Sequence, residues 1–209
     1  MNKIDLHVHS KYSYDCYLEP KIIIKIAKKR NLDGISITDH NSLRSYKEAK
    51  KIAKDFLIIE GSEIKTTIGE ILAYSIQEEI KPEKSIYETI EEVHKQGGIA
   101  IAPHPFDMFR RYNGKNIVRG IDGIEIFNSR CILNFFNYKA VKKAKEMNLP
   151  MIAGSDAHTE EEIGNAFTVF DSSSDIIKMV RKGLCKPQGK LSLPTVHLKS
   201  NLVKLLKKI

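Results

Sequence analysis

Five histidines and a set of carboxylates stand where strand-like apolar runs end: Asp5, His7 and His9 in DLHVHS, Asp39 and His40 in ITDHN, Glu63, Glu70, His104, and Asp156 and His158 in SDAH. Polar side chains are normally kept out of such stretches unless they are paired or bound to metal. His7 and His9 lie two apart on a strand, so both imidazoles project to one side, as chelation of a single cation requires. A lone His-x-His is more often packed than ligating, but five of the seven histidines share this placement. Nitrogen and oxygen donors without thiolate suit Mn²⁺, Fe²⁺ or Zn²⁺ in a catalytic site, and about nine such donors exceed the needs of one ion. Two cations a few ångströms apart activate a bridging water as hydroxide and clamp the attacking and leaving oxygens of a phosphate ester.

The elements that must position these residues alternate. Ile4, Leu6 and Val8 interleave with Asp5, His7 and His9, a strand with one apolar and one polar face. A helix follows from Glu19-Pro20 to about Arg30, with Pro20 in its first turn and Asn31 at its exit. Strand 34–38 runs into Asp39-His40, and Asn41-Ser42 start a second helix reaching Lys54. Segments 56–64 and 70–76 read as two strands of a hairpin turning at 67–69. The alternation then resumes with a helix from Ser85 to Gln96, a strand 99–102, a strand 123–127 ending at Asn128, a lysine-rich helix 139–147 and a strand 151–153. A short strand 166–170 and a helix 175–182 complete the body. Repeated β-α units of this kind argue for a parallel sheet covered by helices, either a barrel or an open doubly wound sheet, with ligands at the carboxyl ends of the strands.

The chain has 209 residues, which favours one domain, and 42% hydrophobic with 29% charged residues is a globular mixture. No apolar run reaches the roughly 20 residues of a membrane span and no signal peptide is read at the N-terminus, so a cytoplasmic location is expected and no membrane partner. Cys16, Cys131 and Cys185 form no CxxC pair and read as reduced bystanders, Cys16 as a packed thiol beside a candidate ligand. The formal net charge of +8 fits phosphate-bearing ligands, but lysines on solvated helix faces give the same total. Pro, Gly and Ser cluster over 186–194 and read as a linker, so the expected division is a body over 1–185 and a tail over 186–209. Leu198, Leu202, Leu205 and Leu206 among lysines fit a basic amphipathic helix, used either on an anionic surface or RNA or for packing on the body.

The DLHVHS opening, the ITDHN turn, the EGSEI strand, the APHPF strand end and the AGSDAH loop together resemble the PHP family, named after polymerase and histidinol phosphatase. The resemblance covers about residues 3–170 in the family's order. It implies a distorted (β/α)₇ barrel and a trinuclear site: His7, His9, Glu63 and Asp156 on a first ion, Glu63 bridging to a second that takes His104 and residue 70, and Asp15, His40 and His158 on a third. The family more commonly has histidine where Glu70 stands. Glutamate favours harder ions such as Mn²⁺ over Zn²⁺, so two or three divalent ions are expected, Mn²⁺ first and Fe²⁺ or Zn²⁺ after it.

Asp5 and Asp39 flank ligands and are expected to accept the second N–H of the imidazoles rather than bind metal. Arg130, just after the strand end at Asn128, is the candidate for holding phosphate oxygens, with Arg44 and Arg110 or Arg111 as further ones. Catalysis is accordingly expected from Asp156, Glu63 and Arg130, whereas His94 and His197 read as solvated or packed. The leading expectation is hydrolysis of a small phosphomonoester, such as a nucleotide, nucleoside bisphosphate or sugar phosphate. One alternative is an exonuclease trimming short RNA or DNA, which the basic tail supports. Another is a metal-stabilised module that binds a protein without catalysis.

Overall fold

The computed structural model describes residues 1–110, 113–172 and 175–207, and of Met108 the backbone alone. Ten strands and six α-helices alternate among them: β1 Asn2–Val8, α1 Pro20–Lys29, β2 Gly34–Ile37, α2 Arg44–Ile52, β3 Leu57–Ile59, β4 Gly61–Lys65, β5 Glu70–Tyr74, α3 Ile86–Lys95, β6 Ile99–Ala102, β7 Gly123–Asn128, α4 Asn134–Glu146, β8 Met151–Gly154, β9 Ala166–Phe170, α5 Ile176–Arg181, β10 Lys186–Gly189 and α6 Thr195–Leu206. Local chemistry sets several ends. Pro20 opens α1 and Asn31 leaves it in left-handed backbone (φ 55°). Ser85 and Glu88 cap α3 reciprocally. The second helix begins later than Asn41-Ser42, at Arg44, because the Glu79 carboxylate accepts the Leu43 N–H (2.8 Å) and the Ser42 hydroxyl (3.0 Å).

The strands pair as two five-stranded sheets, β10-β9-β1-β2-β3 and β4-β5-β6-β7-β8, a mixed α/β fold. β1, β2 and β3 are parallel, as are β6, β7 and β8, while β9, β10, β4 and β5 add antiparallel pairs. Isolated bridges join the sheets at two places, Val8 with Ala157 and His40 with Glu63. Both joints lie where the expected metal ligands cluster, and they carry the backbone bonds Asp156 N–H to His7 O (2.6 Å) and Asn41 N–H to Glu63 O (2.9 Å).

The segment expected as one strand over 56–64 is divided at Glu60, β3 pairing in the first sheet and β4 in the second. Gly61 permits this crossing, since a Cβ there would come within 2.5 Å of Ser36 Oγ. The fourth helix starts at Asn134, ahead of the lysine-rich stretch. Residues 186–189, read as part of a linker, pair antiparallel with β9 instead.

One apolar cluster lies where the sheets face each other, with Ile4 and Leu6 of β1 against Leu72, Tyr74, Ile99, Ile101 and Ile152. Two others lie under α1 and α2 on the first sheet and under α3 and α4 on the second. Each buried aliphatic side chain is worth about 1.5–3 kcal/mol. Val8 departs from the expected single apolar face: it packs with Ile23, Ile24 and Ala27 of α1, while Ile4 and Leu6 face the other sheet. The register of β1 on β2 shifts between Asp5 and Val8, which breaks the strict alternation. Among the described residues no helix is long and apolar enough to cross a membrane.

α6 lies on the body through Val196 and Ser200, which are buried, and leaves Leu198, Leu202, Leu205 and Leu206 exposed. Lys199 pairs with Glu161 (2.6 Å), and the Lys207 ammonium donates to the carbonyls of Lys11 (2.7 Å), Ser13 (2.7 Å) and Cys16 (2.5 Å). The helix is therefore tied at both ends by its polar side, the leucine stripe facing away. Residues 208 and 209 of the expected tail lie outside the described residues.

Candidate metal centre

Nε2 of His7, Nε2 of His9, Oε2 of Glu63 and Oδ1 of Asp156 face one another. The imidazole nitrogens are 3.2 Å apart, His7 stands 3.6 Å from each carboxylate oxygen, and His9 stands 3.3 Å from Glu63 and 3.2 Å from Asp156. A tetrahedron of ligands at about 2.0–2.2 Å from a cation has edges of about 3.3–3.6 Å. These five separations match the spacing that one divalent ion imposes. One ligand comes from β1 and one from the residue just past its end, one from β4 and one from the turn after β8, so the centre spans both sheets.

The other donors adjoin it. His104 Nε2 lies 2.9 Å from Glu63 Oε1 and 3.9 Å from Glu70 Oε2. His40 Nδ1 lies 3.2 Å from Glu63 Oε2 and 3.9 Å from Glu70 Oε1, and its Nε2 lies 3.6 Å from Asp15. His158 Nε2 lies 3.3 Å from Asp15 Oδ1. His9, Asp15, His40 and His158 form one group with donor atoms within 4.8 Å of one another, and His40, Glu63 and Glu70 form another. All nine residues read from the sequence as ligands converge on one cleft. Among the described residues Glu63 alone stands beside four imidazoles, those of His7, His9, His40 and His104.

Burial tests whether the residues fit a cation. Asp15 Oδ1, His40 Nε2, Glu63 Oε2 and Asp156 Oδ1 are buried without a hydrogen-bond partner, which costs about 1–3 kcal/mol for each neutral group and more for a charged one. Divalent cations relieve all four, so the donor set fits them. Burial alone lowers the basicity of His9, yet the Asp156 and Glu63 carboxylates outweigh it and push its pKa up to about 9. The same acids, with Glu125, raise His7 well above its ordinary value. Against burial, the histidines hold Glu63 and Asp156 well below the carboxylate range, Asp156 helped by Arg110. Burial, Arg130 and His9 push His158 down to about 3. Without a cation, ring protons balance the acids; metal uptake must displace them.

The supports of the imidazoles differ from the expected ones. Asp5 touches no ring: it accepts the N–H groups of Ser155 (2.9 Å) and Gly164 (2.8 Å) and the Ser155 hydroxyl (2.6 Å), fixing the loop that carries Asp156. Asp39 accepts the Ser10 N–H (2.6 Å) and the Ser13 hydroxyl (2.7 Å), and Ser13 Oγ meets His9 Nδ1 (2.9 Å), so Asp39 orients His9 through Ser13. Asp5 shares the polar face of β1 with His7 but is taken up by the loop after β8, and Asp39, beyond the end of β2, is taken up by Ser10 and Ser13. The direct partner of His7 is Glu125 of β7, unforeseen from the sequence: Oε1 lies 2.9 Å from His7 Nδ1, and Oε2 accepts the His104 N–H (2.9 Å) and an Asn128 N–H (3.0 Å).

Gly154 admits this approach, since a Cβ there would lie 2.3 Å from His7 Cβ and 2.9 Å from Glu125 Oε1. Asp156 (φ 55°) and His104 (φ 25°) hold positive-φ backbone, a strain on the order of 1–3 kcal/mol each. Their N–H groups, bonded to His7 O and to Glu125, keep them there. Glu125→Gln is expected to weaken divalent-metal affinity about 10- to 100-fold with the fold retained. Metal titration of chelator-stripped protein with parallel circular dichroism checks this, and unchanged affinity would dismiss Glu125 as the support of His7.

Above the donors lies a cavity of about 500 Å³ whose lining includes Asp15, Glu70 and His158 on the cleft side, Arg110 and Arg130, and His197 and Lys204 from α6. Arg110 reaches the donors themselves, with Nη2 2.8 Å from Asp156 Oδ2 and Nη1 3.4 Å from Glu70 Oε2. Arg130 is buried, its guanidinium held by Ser200 Oγ (2.7 Å) and Glu162 (3.4 Å). Arg44 is exposed over the Tyr12 ring, and Arg111 lies outside the described residues. His94 pairs with Asp122 (2.7 Å) away from this cavity. Cys16 is a packed thiol donating to the carbonyls of His9 and His158, and burial pushes its pKa up to about 12.

His197 is packed, yet it also lines the cavity; a histidine in a basic tail gives no sequence signal for that. Its Nε2 meets the Arg130 carbonyl (2.9 Å), and burial together with Arg130 lowers its pKa below the ordinary 6.5. A histidine kept neutral when docked takes up a proton more readily when released. Docking of α6 is thus unaffected above pH 6.5 and weakens as pH falls below it. Hydrogen exchange in α6, corrected for intrinsic rates, is expected to quicken from about pH 7.5 to about 5.5, and His197→Gln to flatten that change. Equal protection at both pH values in the wild type would remove His197 as the cause.

Residues 5–121 match the family model of the PHP domain, and residues 134–185 match that of the PHP-associated segment. Two uncharacterised proteins of Methanocaldococcus jannaschii are similar: MJ0417 is 36% identical over 177 residues (80% of this chain and 70% of that protein), and MJ1587 is 42% identical over 140 residues (61% and 82%). Among solved structures, a two-domain protein from Bacteroides vulgatus, described as containing a predicted PHP-like metal-dependent phosphoesterase, superposes with a TM-score of 0.75 at 21% identity. That superposition covers 90% of this chain, and the chain spans 65% of the two-domain protein's length. A donor cluster built from both sheets and a PHP match across more than half of the sequence lead to one assignment: the chain belongs to the PHP family.

Proposed function

We propose that the protein is a metal-dependent phosphoesterase that hydrolyses small phosphomonoesters, the class to which nucleotides, nucleoside bisphosphates and sugar phosphates belong. The observation that carries this reading is a cluster of nine N/O donors, three of which (Asp15, Glu70 and His158) line a cavity of about 500 Å³ together with two arginines. When bound, divalent cations supply Lewis acidity that lowers the pKa of water and offsets charge on the phosphate. The chain's own part is positional. Glu63 and Asp156 hold their oxygens toward His7 and His9, Glu125 and Ser13 fix the rings, and Arg110 and Arg130 present guanidinium N–H groups to the non-bridging oxygens.

Two or three ions are proposed, Mn²⁺ foremost, because Glu70 supplies a hard anionic oxygen in the usual place of an imidazole nitrogen. We also read the linked sheets as a distorted seven-stranded barrel of β1, β2 and β4–β8, with residues 1–185 as the phosphoesterase body and the remainder closing over it. The nuclease alternative leaned on the basic tail, but Lys199 and Lys207 are engaged by the body, which favours a small substrate.

The test is phosphate release from nucleotides, bisphosphates, sugar phosphates and short oligonucleotides by chelator-stripped protein with added Mn²⁺. Metal-dependent release from small monoesters is the expected result. Release from oligonucleotides alone would replace the reading with the nuclease, and silence on every substrate despite bound metal would leave a binding module.

A further inference from the structure

α6 lies beyond both family matches, which end at residue 185, yet it supplies one wall of the cavity over the metal donors. Its basic residues are used unequally. Lys199 is paired with Glu161, and Lys207 is spent on three carbonyls of the loop that carries Asp15. Lys204 has no carboxylate within 4.0 Å among the described residues; its ammonium rests 4.9 Å from the centre of the Tyr14 ring, and Tyr14 stacks on His40 at 4.6 Å. Lys204, half-buried and without a counter-ion among the described residues, therefore lines the cavity two ring contacts from a metal donor. Arg130, by contrast, is already held by Ser200 and Glu162.

We infer that Lys204 is a specificity-determining residue: it receives a second anionic group, phosphate or carboxylate, on a small substrate whose reacting phosphate sits at the metal donors. The inference rests on the phosphoesterase reading for the first phosphate and adds the second charge. Two observations fit it. The cavity has room for a ligand longer than a bare phosphate, and Lys204 lines it from α6, an element that carries none of the nine donors. A hydrogen bond to a charged group in such a partly desolvated place is worth enough to shift affinity about tenfold.

The test uses probes that cannot turn over: butylphosphonate with one anionic group, 5-phosphonopentanoate with a phosphonate and a carboxylate, and 1,4-butylene bisphosphonate with two phosphonates. Each is titrated calorimetrically into the Mn²⁺-loaded full chain, as wild type, Lys204→Met and Lys204→Arg, with thermal denaturation as the control for folding. The expected result is wild-type binding of one or both doubly anionic probes about tenfold tighter than butylphosphonate. Lys204→Met should abolish that preference without changing butylphosphonate affinity, and Lys204→Arg should keep most of it. The tighter of the two anionic probes names the second group. A preference that survives Lys204→Met, an equal loss for all three probes, or a wild type without preference overturns the inference while leaving the phosphoesterase reading intact. Failure of butylphosphonate itself to bind the metal-loaded protein would count against that reading and take the inference with it.

Discussion

Glu63→Gln is expected to lower bound divalent metal at least tenfold and phosphate release at least about 10³-fold, with the secondary structure unchanged. Among the described residues no other carboxylate stands beside four imidazoles. The amide keeps the size of the carboxylate, so packing within the joint between β2 and β4 is preserved. It loses the charge, however, and turns N–H groups toward ring nitrogens that a cation would occupy. Loss of one donor from a metal site weakens affinity by more than the 10–100-fold typical of a supporting residue, and about 10³ in rate corresponds to about 4 kcal/mol of transition-state stabilisation. Elemental analysis of purified protein, circular dichroism and phosphate release from the best small monoester together check it. Full metal content in Glu63→Gln would show that Glu63 is not a shared ligand.

How far such a centre can be read from sequence depends on where each residue's constraint lies. His7, His9, Asp156 and His158 were legible because their constraint is local: donors at the ends of apolar runs are costly unless bound. Glu125 was not, because within GIEIFN it alternates with isoleucines and so reads as the solvent face of a strand. The structure makes β7 parallel to both β6 and β8, and a parallel sheet is covered on its two faces, so a carboxylate in its middle needs a partner. That reasoning would have found Glu125 had the neighbours of β7 been known. Asp5 and Asp39 were placed against the wrong atoms because their partners, Ser155 and Gly164 for Asp5 and Ser10 and Ser13 for Asp39, come from loops that the strand pattern does not bring near. The fold shows the same division. Alternating β-α units were visible, but pairing into two sheets depends on the crossing at Glu60-Gly61, which no periodicity marks. In α6 the leucine stripe suggested the buried side, whereas lysine, serine and histidine groups reach the body and the leucines do not.

Arg110→Met is expected to lower kcat/KM for a small phosphomonoester about 10²- to 10³-fold while metal content stays at the wild-type level. The guanidinium lies across the cleft, bonded to Asp156 and within reach of Glu70, with its side chain 23% exposed and lining the cavity. Such a planar fork matches the oxygens of a phosphate as well as it matches carboxylates, and its charge cannot be titrated away. The competing role for Arg110 is purely structural, neutralising the charge that Glu70 adds where an imidazole is usual. The two roles separate in measurement. A phosphate-binding arginine leaves metal affinity alone and is partly rescued by Arg110→Lys, which keeps the charge and loses the fork. An arginine that only balances Glu70 and Asp156 behaves otherwise: its loss leaves two buried acids facing each other, which raises their attraction for divalent cations and changes metal content before it changes turnover. Metal titration and steady-state kinetics on wild type, Arg110→Met and Arg110→Lys decide between them, and altered metal affinity with unaltered kcat/KM would give Arg110 the structural role.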